Sequence, residues 1–405
     1  MAKQLSVMPY YGGKDKLNPL IIDMLDYKNT DIYIEPFAGG ARTLLNKPAH
    51  KIEIINDLSV GITTLYTVLT SESDTMNLME LLYQTEYSKE SFQKALEYRN
   101  NYETDYRAEM QRREREFIRE MEEKYHVRLL DDYIKEFKDN KRQEQDKKVN
   151  TIGKAVEKVW SDIHLDDEDI KRRQELLSQS IPVDYIYSVM KEIERKETIQ
   201  RKWNAKQGIK EEKKKKISTS LYQHGWVDEK SDIELAAATF IVHLFSRDGI
   251  GKYFSAYKFR DSTGYYKRID RLFECHERLK DVIVTRLDAN LFFEHGGQGN
   301  LNKISVWNNE KAMVYCDPTY LPQMDADGSS MNPGSLYNNF WTEQEHNNFI
   351  DLLKDVKCKV MVSNYESKVY NRLSEEYGWK SLEVDTITTV GGNNSLRKEI
   401  LWYNY

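Results

Sequence analysis

Short apolar runs alternate with helical stretches in the first and last parts of the chain. Runs rich in β-branched residues, bounded by acids, glycine or proline, predict buried strands. These runs lie at residues 32–35, 51–56, 282–287, 312–316 and 359–363, and two more at 382–390 and 399–403 flank a Gly391-Gly392 turn. Helices are predicted at 17–25, 60–69, 233–245 and 341–353, the last with a Thr342/Glu345 capping box. This alternation predicts an α/β fold: a mostly parallel sheet covered on both faces, with one antiparallel edge.

The block from residue 75 to about 235 has a different pattern. Residues 101–220 contain only two glycines and one proline. Apolar side chains recur there at four-residue spacing, as in Tyr102, Tyr106 and Met110. A narrow apolar stripe in a charged background predicts long amphipathic helices, packed as an antiparallel pair or a small bundle. The block therefore reads as a large charged helical insertion.

A basic and aromatic stretch follows the apolar helix at 233–245. Residues 247–271 contain seven Lys/Arg, three Asp and six aromatic residues. Glycines at 249, 251 and 264 favour a loop or hairpin. Basic side chains contact phosphates and aromatic rings can stack on bases, so the stretch could bind nucleic acid. A core hairpin with exposed lysines fits the same composition equally well.

Composition excludes several classes of protein. The chain has 405 residues, 40% of them hydrophobic, with a mean hydropathy of −0.74. Three scattered cysteines do not form a disulfide or zinc framework. The first residues lack an apolar leader, and no apolar run approaches membrane-spanning length, so a cytoplasmic protein without a membrane partner is expected. The net charge of −6 neither indicates nor excludes binding to nucleic acid.

The strand at 312–316 ends in the sequence Asp317-Pro318-Thr319-Tyr320. Because proline cannot continue a central ladder, the chain must turn there. A carboxylate, a fixed carbonyl and an aromatic ring are thus placed at the carboxyl end of a strand, where open α/β sheets bind their ligands. An ordinary surface turn is the alternative interpretation of the same four residues.

A second candidate site follows the strand at 32–35. Gly39-Gly40 lets the chain pass close to a ligand before a helix begins near Ala41, although the spacing is not that of a dinucleotide-binding G-x-G-x-x-G motif. Asp57 ends the next strand and is well placed to accept from ribose hydroxyls. The alternative is that Asp57 caps the helix at 60–69. Near the amino end, Gly12-Gly13 and Lys14 form another glycine-rich turn.

Together these motifs resemble the Dam-type (alpha-group) DNA adenine-N6 methyltransferases. The segments that carry the resemblance are YYGGK at 10–14, EPFAGGA at 35–41, Asp57, DPTY at 317–320 and Arg397-x-Glu399-x-Leu401-x-x-Asn404. The order of the motifs matches that family, and RDGIGKYF at 247–254 lies where those enzymes carry a DNA-contacting hairpin. The resemblance covers residues 1–74 and roughly 235–405, and it offers no counterpart for the block between them. Thr319 departs from the usual second proline of the tetrapeptide, and Ala41 and Arg42 stand where glycine and serine are common.

The resemblance implies a fold, a reaction and a set of site residues. It implies a Rossmann-like methyltransferase sheet with an antiparallel closing strand, built from residues 1–74 and 278–405, with an insertion at 75–235. Residues 236–277 would form the DNA-recognition helix and basic hairpin.

The cofactor would be S-adenosylmethionine, no metal would be needed, and the substrate would be adenine flipped out of double-stranded DNA. The catalytic residues would be Asp317, Pro318 and Tyr320. The cofactor would contact Tyr10, Lys14 (on its carboxylate), Phe37 (at the methionine end), Gly39, Asp57 (on the ribose) and Asp288 (near the adenine). DNA would contact Arg247, Lys252, Tyr253, Lys258 and Arg260.

Two other functions are consistent with these residues. The same hydrogen-bonding pair could serve methylation of RNA or of a protein amide. Thr319 also leaves open a DNA-binding relic that has lost turnover. A bacterial or phage-type protein is expected, and a restriction endonuclease or other protein could bind through the insertion.

Overall fold

The chain forms one large mixed sheet whose central strands are parallel. The computed structural model describes residues 4–10, 12, 14, 16–144, 151–178, 198, 233–247, 249–259, 262–293, 305–321, 323–324, 330–331, 341–390 and 393–405. Its strands are β1 Ile32–Glu35, β2 Ile52–Asn56, β3 Ile283–Thr285, β4 Ala312–Cys316, β5 Gln323–Met324, β6 Ser330–Met331, β7 Lys359–Tyr365, β8 Lys380–Val390 and β9 Asn393–Tyr403. The seven-stranded sheet has the order β3-β2-β1-β4-β7-β9-β8, and β5 pairs only with β6. The pairs from β3 across to β7 are parallel, whereas β9 runs antiparallel to both β7 and β8.

Helices cover this sheet and extend away from it. They are α1 Asn18–Met24, α2 Arg42–Asn46, α3 Val60–Thr70, α4 Glu72–Tyr83, α5 Lys89–Lys124, α6 Leu130–Glu144, α7 Thr151–Asp162, α8 Asp167–Ser178, α9 Ile233–Phe245, α10 Ser262–Leu279, α11 Ala289–Phe293, α12 Glu343–Leu352 and α13 Lys368–Glu375. Several begin at a serine or threonine whose side chain accepts a hydrogen bond from the first turn, as Ser59, Ser88 and Thr342 do. None of the described helices is long and apolar enough to cross a membrane.

Alternating side chains of the strands build two cores, one on each face of the sheet. In β4, Met313 and Tyr315 face one core, while Ala312, Val314 and Cys316 face the other. Helices α1, α3, α4, α9, α10 and the first turns of α5 cover the first face. Helices α11, α12 and α13 cover the second. Because both faces of the sheet are covered, every residue of β1 and β4 is buried, and all of them except Glu35 are apolar or aromatic, as in central parallel strands.

The inserted block contains a core of its own, which we call the arm core. Phe117, Ile118 and Met121 of α5 pack there against Leu130 and against α7. The beginning of the block does not belong to it, because Leu78 and Leu82 of α4 and Phe92 and Ala95 of α5 lie in the main core. Helix α5 thus begins against the sheet domain and ends in the arm.

The structure confirms the predicted α/β class, the parallel centre and the antiparallel closing strand. Strands β1 and β4, helix α9 and the capping box at Thr342 match their predicted residues. Strand β3 is shorter than predicted, and β7, β8 and β9 are longer. The Gly391-Gly392 turn lies outside the described residues. One expectation was wrong: Gly264 is not in a loop but in helix α10, which begins at Ser262.

Candidate active site

A cavity opens at the carboxyl ends of the central strands. It encloses about 1420 Å³ of space, including its open mouth. The segments that follow β1, β2, β3 and β4 all line it. The strand order runs from β1 to β2 on one side and from β1 to β4 on the other. This divergence makes the cavity a topological switch point, which is where open α/β sheets bind ligands.

The cavity brings together side chains that lie far apart in the sequence. All nine residues predicted for catalysis and for the cofactor line it: Tyr10, Lys14, Phe37, Gly39, Asp57, Asp288, Asp317, Pro318 and Tyr320. Their individual roles remain predictions, but their common location is what one active site requires.

The two oxygens of Asp317 have different surroundings. Oδ1 accepts hydrogen bonds from Lys14 Nζ at 2.7 Å and from Ser363 Oγ at 3.0 Å. Because Ser363 donates its proton to Asp317, its partner Tyr315 must donate to Ser363, at 3.0 Å. Within the described part of the chain, no hydrogen bond reaches Oδ2 of Asp317 or the carbonyl of Pro318. One carboxylate oxygen is thus held while the other can accept from a ligand.

Lys14 lies at the centre of a buried ionic cluster. Its Nζ also donates to the Tyr320 hydroxyl and forms an ion pair with Glu399 Oε1, at 3.1 Å. The Tyr320 hydroxyl in turn donates to Glu399 Oε1 at 2.9 Å. Burial opposes the charge on Lys14, but the Asp317 and Glu399 carboxylates raise its pKa well above the ordinary value. Burial raises the pKa of Asp317, Lys14 opposes this effect, and Glu399 adds to it.

The ring of Tyr320 is held on one face and by its hydroxyl. Tyr365 stacks on it with ring centroids 4.1 Å apart and planes inclined by 18°. The hydroxyl of the preceding Thr319 accepts a hydrogen bond from Trp341 N at 3.4 Å. Asn364 also donates to the carbonyl of Thr319, at 3.4 Å. These hydrogen bonds fix a turn that a second proline would otherwise stiffen.

Asp57 joins the glycine-rich loop to the end of β2. Its Oδ2 accepts from Gly39 N at 2.8 Å and its Oδ1 from Ser59 N at 2.9 Å. The helix-cap interpretation of Asp57 was wrong, because Ser59 is the residue that caps α3. Burial raises the pKa of Asp57, and the two backbone hydrogen bonds oppose this rise.

The neighbouring cofactor candidates are also fixed by their contacts. Phe37 packs edge-to-face on Trp341, with ring centroids 5.1 Å apart. Asp288 accepts from Asn290 N at 2.9 Å, and burial raises its pKa to about 6. Tyr10 lies directly over Gly39 and Gly40, where a side chain on either glycine would collide with it.

The loop after α9, residues 246–259, carries the residues predicted to bind DNA. It closes on itself through a bridge between Ser246 and Phe254 and is anchored where Gly249 packs on Pro9. Tyr253 and Tyr257 are 76% and 89% exposed, and Arg247 and Lys252 are also exposed. Lys258 donates to the Ser246 carbonyl within the loop. Arg260 lies outside the described residues.

Other aromatic residues of the same stretch have a different role. Phe254 and Phe259 pack against the main core, and Tyr265 is buried within it. The core-hairpin alternative is therefore correct for these rings, while Tyr253 and Tyr257 remain available at the surface.

Sequence reasoning missed several residues that shape the cavity. Arg99 and Glu103 of α5 line it, although they belong to the block set aside as an insertion. Glu399 was noted only as part of a closing strand. Asn56 is buried and bridges three segments, donating to Pro36 O at 3.0 Å and Leu287 O at 2.9 Å. Their only sequence signal was a polar side chain within an apolar strand or on an amphipathic helix.

The fold and the cavity are those of an open α/β enzyme with a Rossmann-like sheet and a ligand site at its topological switch point. Residues 10–158 and 298–389 match the sequence model of the D12 class N6 adenine-specific DNA methyltransferases. These ranges cover more than half of the chain, which therefore belongs to this family of enzymes that transfer a methyl group to adenine in DNA. A search of curated proteins finds no match to the chain.

The matched ranges revise one expectation. The first range runs through α5 and α6 and into α7, so the inserted block does have a counterpart in the family as far as residue 158. Residues 159–297, which include the basic loop, are not matched.

The cavity residues fit the cofactor that methyl transfer requires. A carboxylate at the end of β2 suits a ribose diol, and aromatic side chains flank it. Arg99 also presents a buried guanidinium nitrogen, Nε, that has no hydrogen-bond partner among the described residues. Among the described residues, no group of three His, Cys, Asp or Glu could hold a metal ion.

Proposed function

We propose that this enzyme transfers the methyl group of S-adenosylmethionine to N6 of an adenine flipped out of double-stranded DNA. Asp317, Pro318 and Tyr320 are its catalytic residues. Membership of the D12 class supplies the reaction, and the geometry of the cavity supports the assignment of residues.

The observation that carries the proposal is the pair of acceptors at the end of β4. Oδ2 of Asp317 and the carbonyl of Pro318 are consecutive in the chain, and neither has a partner among the described residues. The exocyclic NH₂ of adenine has two hydrogens to donate. Two adjacent acceptors therefore match one primary amine.

Accepting both hydrogen bonds would change the nitrogen chemically. The lone pair of the adenine amine is delocalised into the ring, which makes it a poor nucleophile. Two in-line acceptors favour a pyramidal nitrogen whose lone pair can attack a methyl group. The cofactor supplies that methyl group on a positively charged sulfur. The sulfur–methyl bond would break as the nitrogen–methyl bond forms, and the neutral thioether would leave. The ionised Asp317 would stabilise the positive charge on N6 until N6 releases one proton to water.

Tyr320 would position the base. Tyr365 covers one face of its ring, and the hydroxyl is held by Lys14 and Glu399. In the proposed complex the flipped base would stack on this ring, whose position is already fixed. Fixing the acceptors and the stacking ring in advance supplies most of the acceleration in a reaction of this kind.

The remaining residues are assigned by their place along the cavity. Asp57 would accept from the ribose, Phe37 would contact the methionine end, and Asp288 would lie near the adenine of the cofactor. Tyr10 would close over the bound cofactor. The loop at 246–259 would contact DNA through Arg247, Lys252, Tyr253 and Lys258, with Arg260 following directly in the sequence.

Incubation with methyl-labelled S-adenosylmethionine and duplex DNA, followed by nucleoside analysis, tests the proposal. Label in N6-methyladenine is expected, and Asp317→Ala should remove it. Label in RNA or in a protein amide but not in DNA would contradict the substrate. Retained DNA binding with no transfer to any acceptor would show that the chain has lost turnover.

A further inference from the structure

Among the described residues, one buried cation in the cavity has only a distant anionic partner. Arg99 of α5 is only 3% exposed. Its contacts are long: Nη1 lies 3.5 Å from His243 Nε2, and Nη2 lies 3.4 Å from Asn100 Oδ1. In the part of the chain that the structure describes, Nε has no hydrogen-bond partner, and its ion pair with Glu103 Oε1 is long, at 4.0 Å.

Arg278 shows the contacts that an arginine in an ion pair makes. It donates two hydrogen bonds to the Glu53 carboxylate, of 2.5 and 2.8 Å. A buried guanidinium without such a partner is costly, because desolvation is not offset by an ion pair. Burial accordingly lowers the pKa of Arg99, with only partial compensation from Glu103. Among the described residues, Arg99 thus has room and charge for an anionic ligand.

His243 does not supply the missing charge. Its Nδ1 donates to the carbonyl of Gly249 at 2.8 Å, so its Nε2 faces Arg99 as a neutral acceptor. Burial, and then Arg99 itself, lower the pKa of His243 to about 4.

Lys14, the residue expected to bind the cofactor's carboxylate, is already engaged. Its ammonium donates to Asp317 and Tyr320 and forms an ion pair with Glu399. Arg99 and Glu103 lie one helical turn apart on α5, and both line the cavity with Gly39 and Asp57. Glu103 also accepts from Ser59 Oγ at 3.3 Å, beside the end of β2.

We propose that Arg99 and Glu103 form the subsite for the zwitterionic amino-acid end of the cofactor. Arg99 binds its α-carboxylate and Glu103 its α-ammonium group. The burial of Arg99 favours a small carboxylate within the cavity over a DNA phosphate, which stays at the protein surface. The inference rests on the proposed use of S-adenosylmethionine.

Calorimetric titration with two ligands tests this subsite. S-adenosylhomocysteine carries the amino-acid end, and 5′-methylthioadenosine lacks it. Arg99→Gln should weaken S-adenosylhomocysteine binding by about 10- to 100-fold, the ratio expected for one charge-assisted hydrogen bond, and leave methylthioadenosine binding unchanged. Arg99→Lys should show an intermediate loss, since it keeps the charge but not the fork.

Two further variants keep the test decisive. Glu103→Gln, at a less buried position, should also weaken only S-adenosylhomocysteine. Asp57→Asn, at the ribose position, should weaken both ligands. Equal loss of both ligands in Arg99→Gln, or loss of DNA affinity alone, would overturn the subsite. If the unmodified enzyme binds neither ligand, the proposed cofactor fails and the subsite with it.

Discussion

At the scale of single residues, the active site depends on how one carboxylate is shared. Oδ1 of Asp317 is held by Lys14 and Ser363, which fixes the direction of Oδ2. Glu399 forms an ion pair with the same ammonium group. The side chains of Asp317, Glu399 and Tyr320 therefore all contact Lys14 Nζ. The cluster of one lysine and two carboxylates carries a net negative charge, which suits a reaction that makes N6 positive.

This cluster predicts a pH dependence. In the proposed mechanism, methyl transfer needs ionised Asp317, and burial and Glu399 raise the pKa of this carboxyl while Lys14 opposes the rise. A raised pKa means that activity is lost as the pH falls through that value. Glu399→Gln removes one of the charges that raise the pKa, so the acid limb of the kcat profile should move to lower pH. Its plateau should fall about tenfold, because Tyr320 loses an ionised partner.

The matched variant is Glu399→Asp, which keeps the charge and should keep the acid limb near its original position. Steady-state rates measured across the acid range in both variants provide the comparison. An acid limb that stays in place or moves to higher pH in Glu399→Gln would disprove this view of the cluster.

At the scale of elements, the basic loop is attached to the cofactor side of the site. Gly249 packs on Pro9, and a side chain at Gly251 would reach Val242 and Arg99. Both glycines have positive φ, of 79° and 81°, a conformation that costs other residues energy. The loop that would meet DNA is thus anchored to the residues beside Tyr10.

The exposed side chains of this loop should account for much of the DNA affinity. Reversing Arg247 and Lys252 to Glu should weaken DNA binding and reduce the slope of log K against log salt by about 2, since two phosphate contacts are lost. Fluorescence anisotropy at several salt concentrations measures both quantities. Lys354→Glu, an exposed lysine after α12, is the matched control.

An unchanged salt slope in the double variant would place the DNA interface elsewhere, with the arm as the next candidate. The same measurement with Tyr253→Ala and Tyr257→Ala separates ring contacts from charge. Their loss should lower affinity without changing the slope, because stacking releases no counterions.

Some elements of this fold can be predicted from the sequence and others cannot. Strands β1 and β4 and the capping box of α12 were predictable because their signals are local: apolar runs, an acid-proline stop and a Thr-x-x-Glu pattern. Glycine favours loops, so the sequence predicts a loop at Gly264. The structure has a helix there, in which Tyr265 is buried. The Lys14–Glu399 pair joins opposite ends of the chain, so no local pattern could show it.

At the scale of the whole molecule, the enzyme has a sheet domain and a helical arm that share one helix. Helix α5 contributes Phe92 to the main core and Phe117 to the arm core. Arg99 and Glu103, which line the cavity, lie between these positions. The cavity and the arm are therefore connected along a continuous helix.

Removal of the arm should spare the cavity. Replacing residues 111–230 with a short Gly/Ser linker deletes the arm core but keeps the part of α5 that packs on the sheet domain. We expect S-adenosylhomocysteine affinity within about threefold of the full chain, because no cavity residue is deleted. A variant that is insoluble or has lost cofactor binding would show that the arm completes the sheet domain.

The most direct test of the whole account is the single-turnover rate of methyl transfer by Asp317→Asn. The amide keeps the shape of the side chain but replaces an ionised acceptor with a neutral one. We predict a rate reduced by about 10- to 1000-fold, as for loss of one preorganised charge in an active site, with cofactor and DNA affinities unchanged. Asp355→Asn, the same substitution at an exposed aspartate, should react at the full rate. Near-full transfer by Asp317→Asn, confirmed with Asp317→Ala, would contradict the assignment of the reaction to this turn.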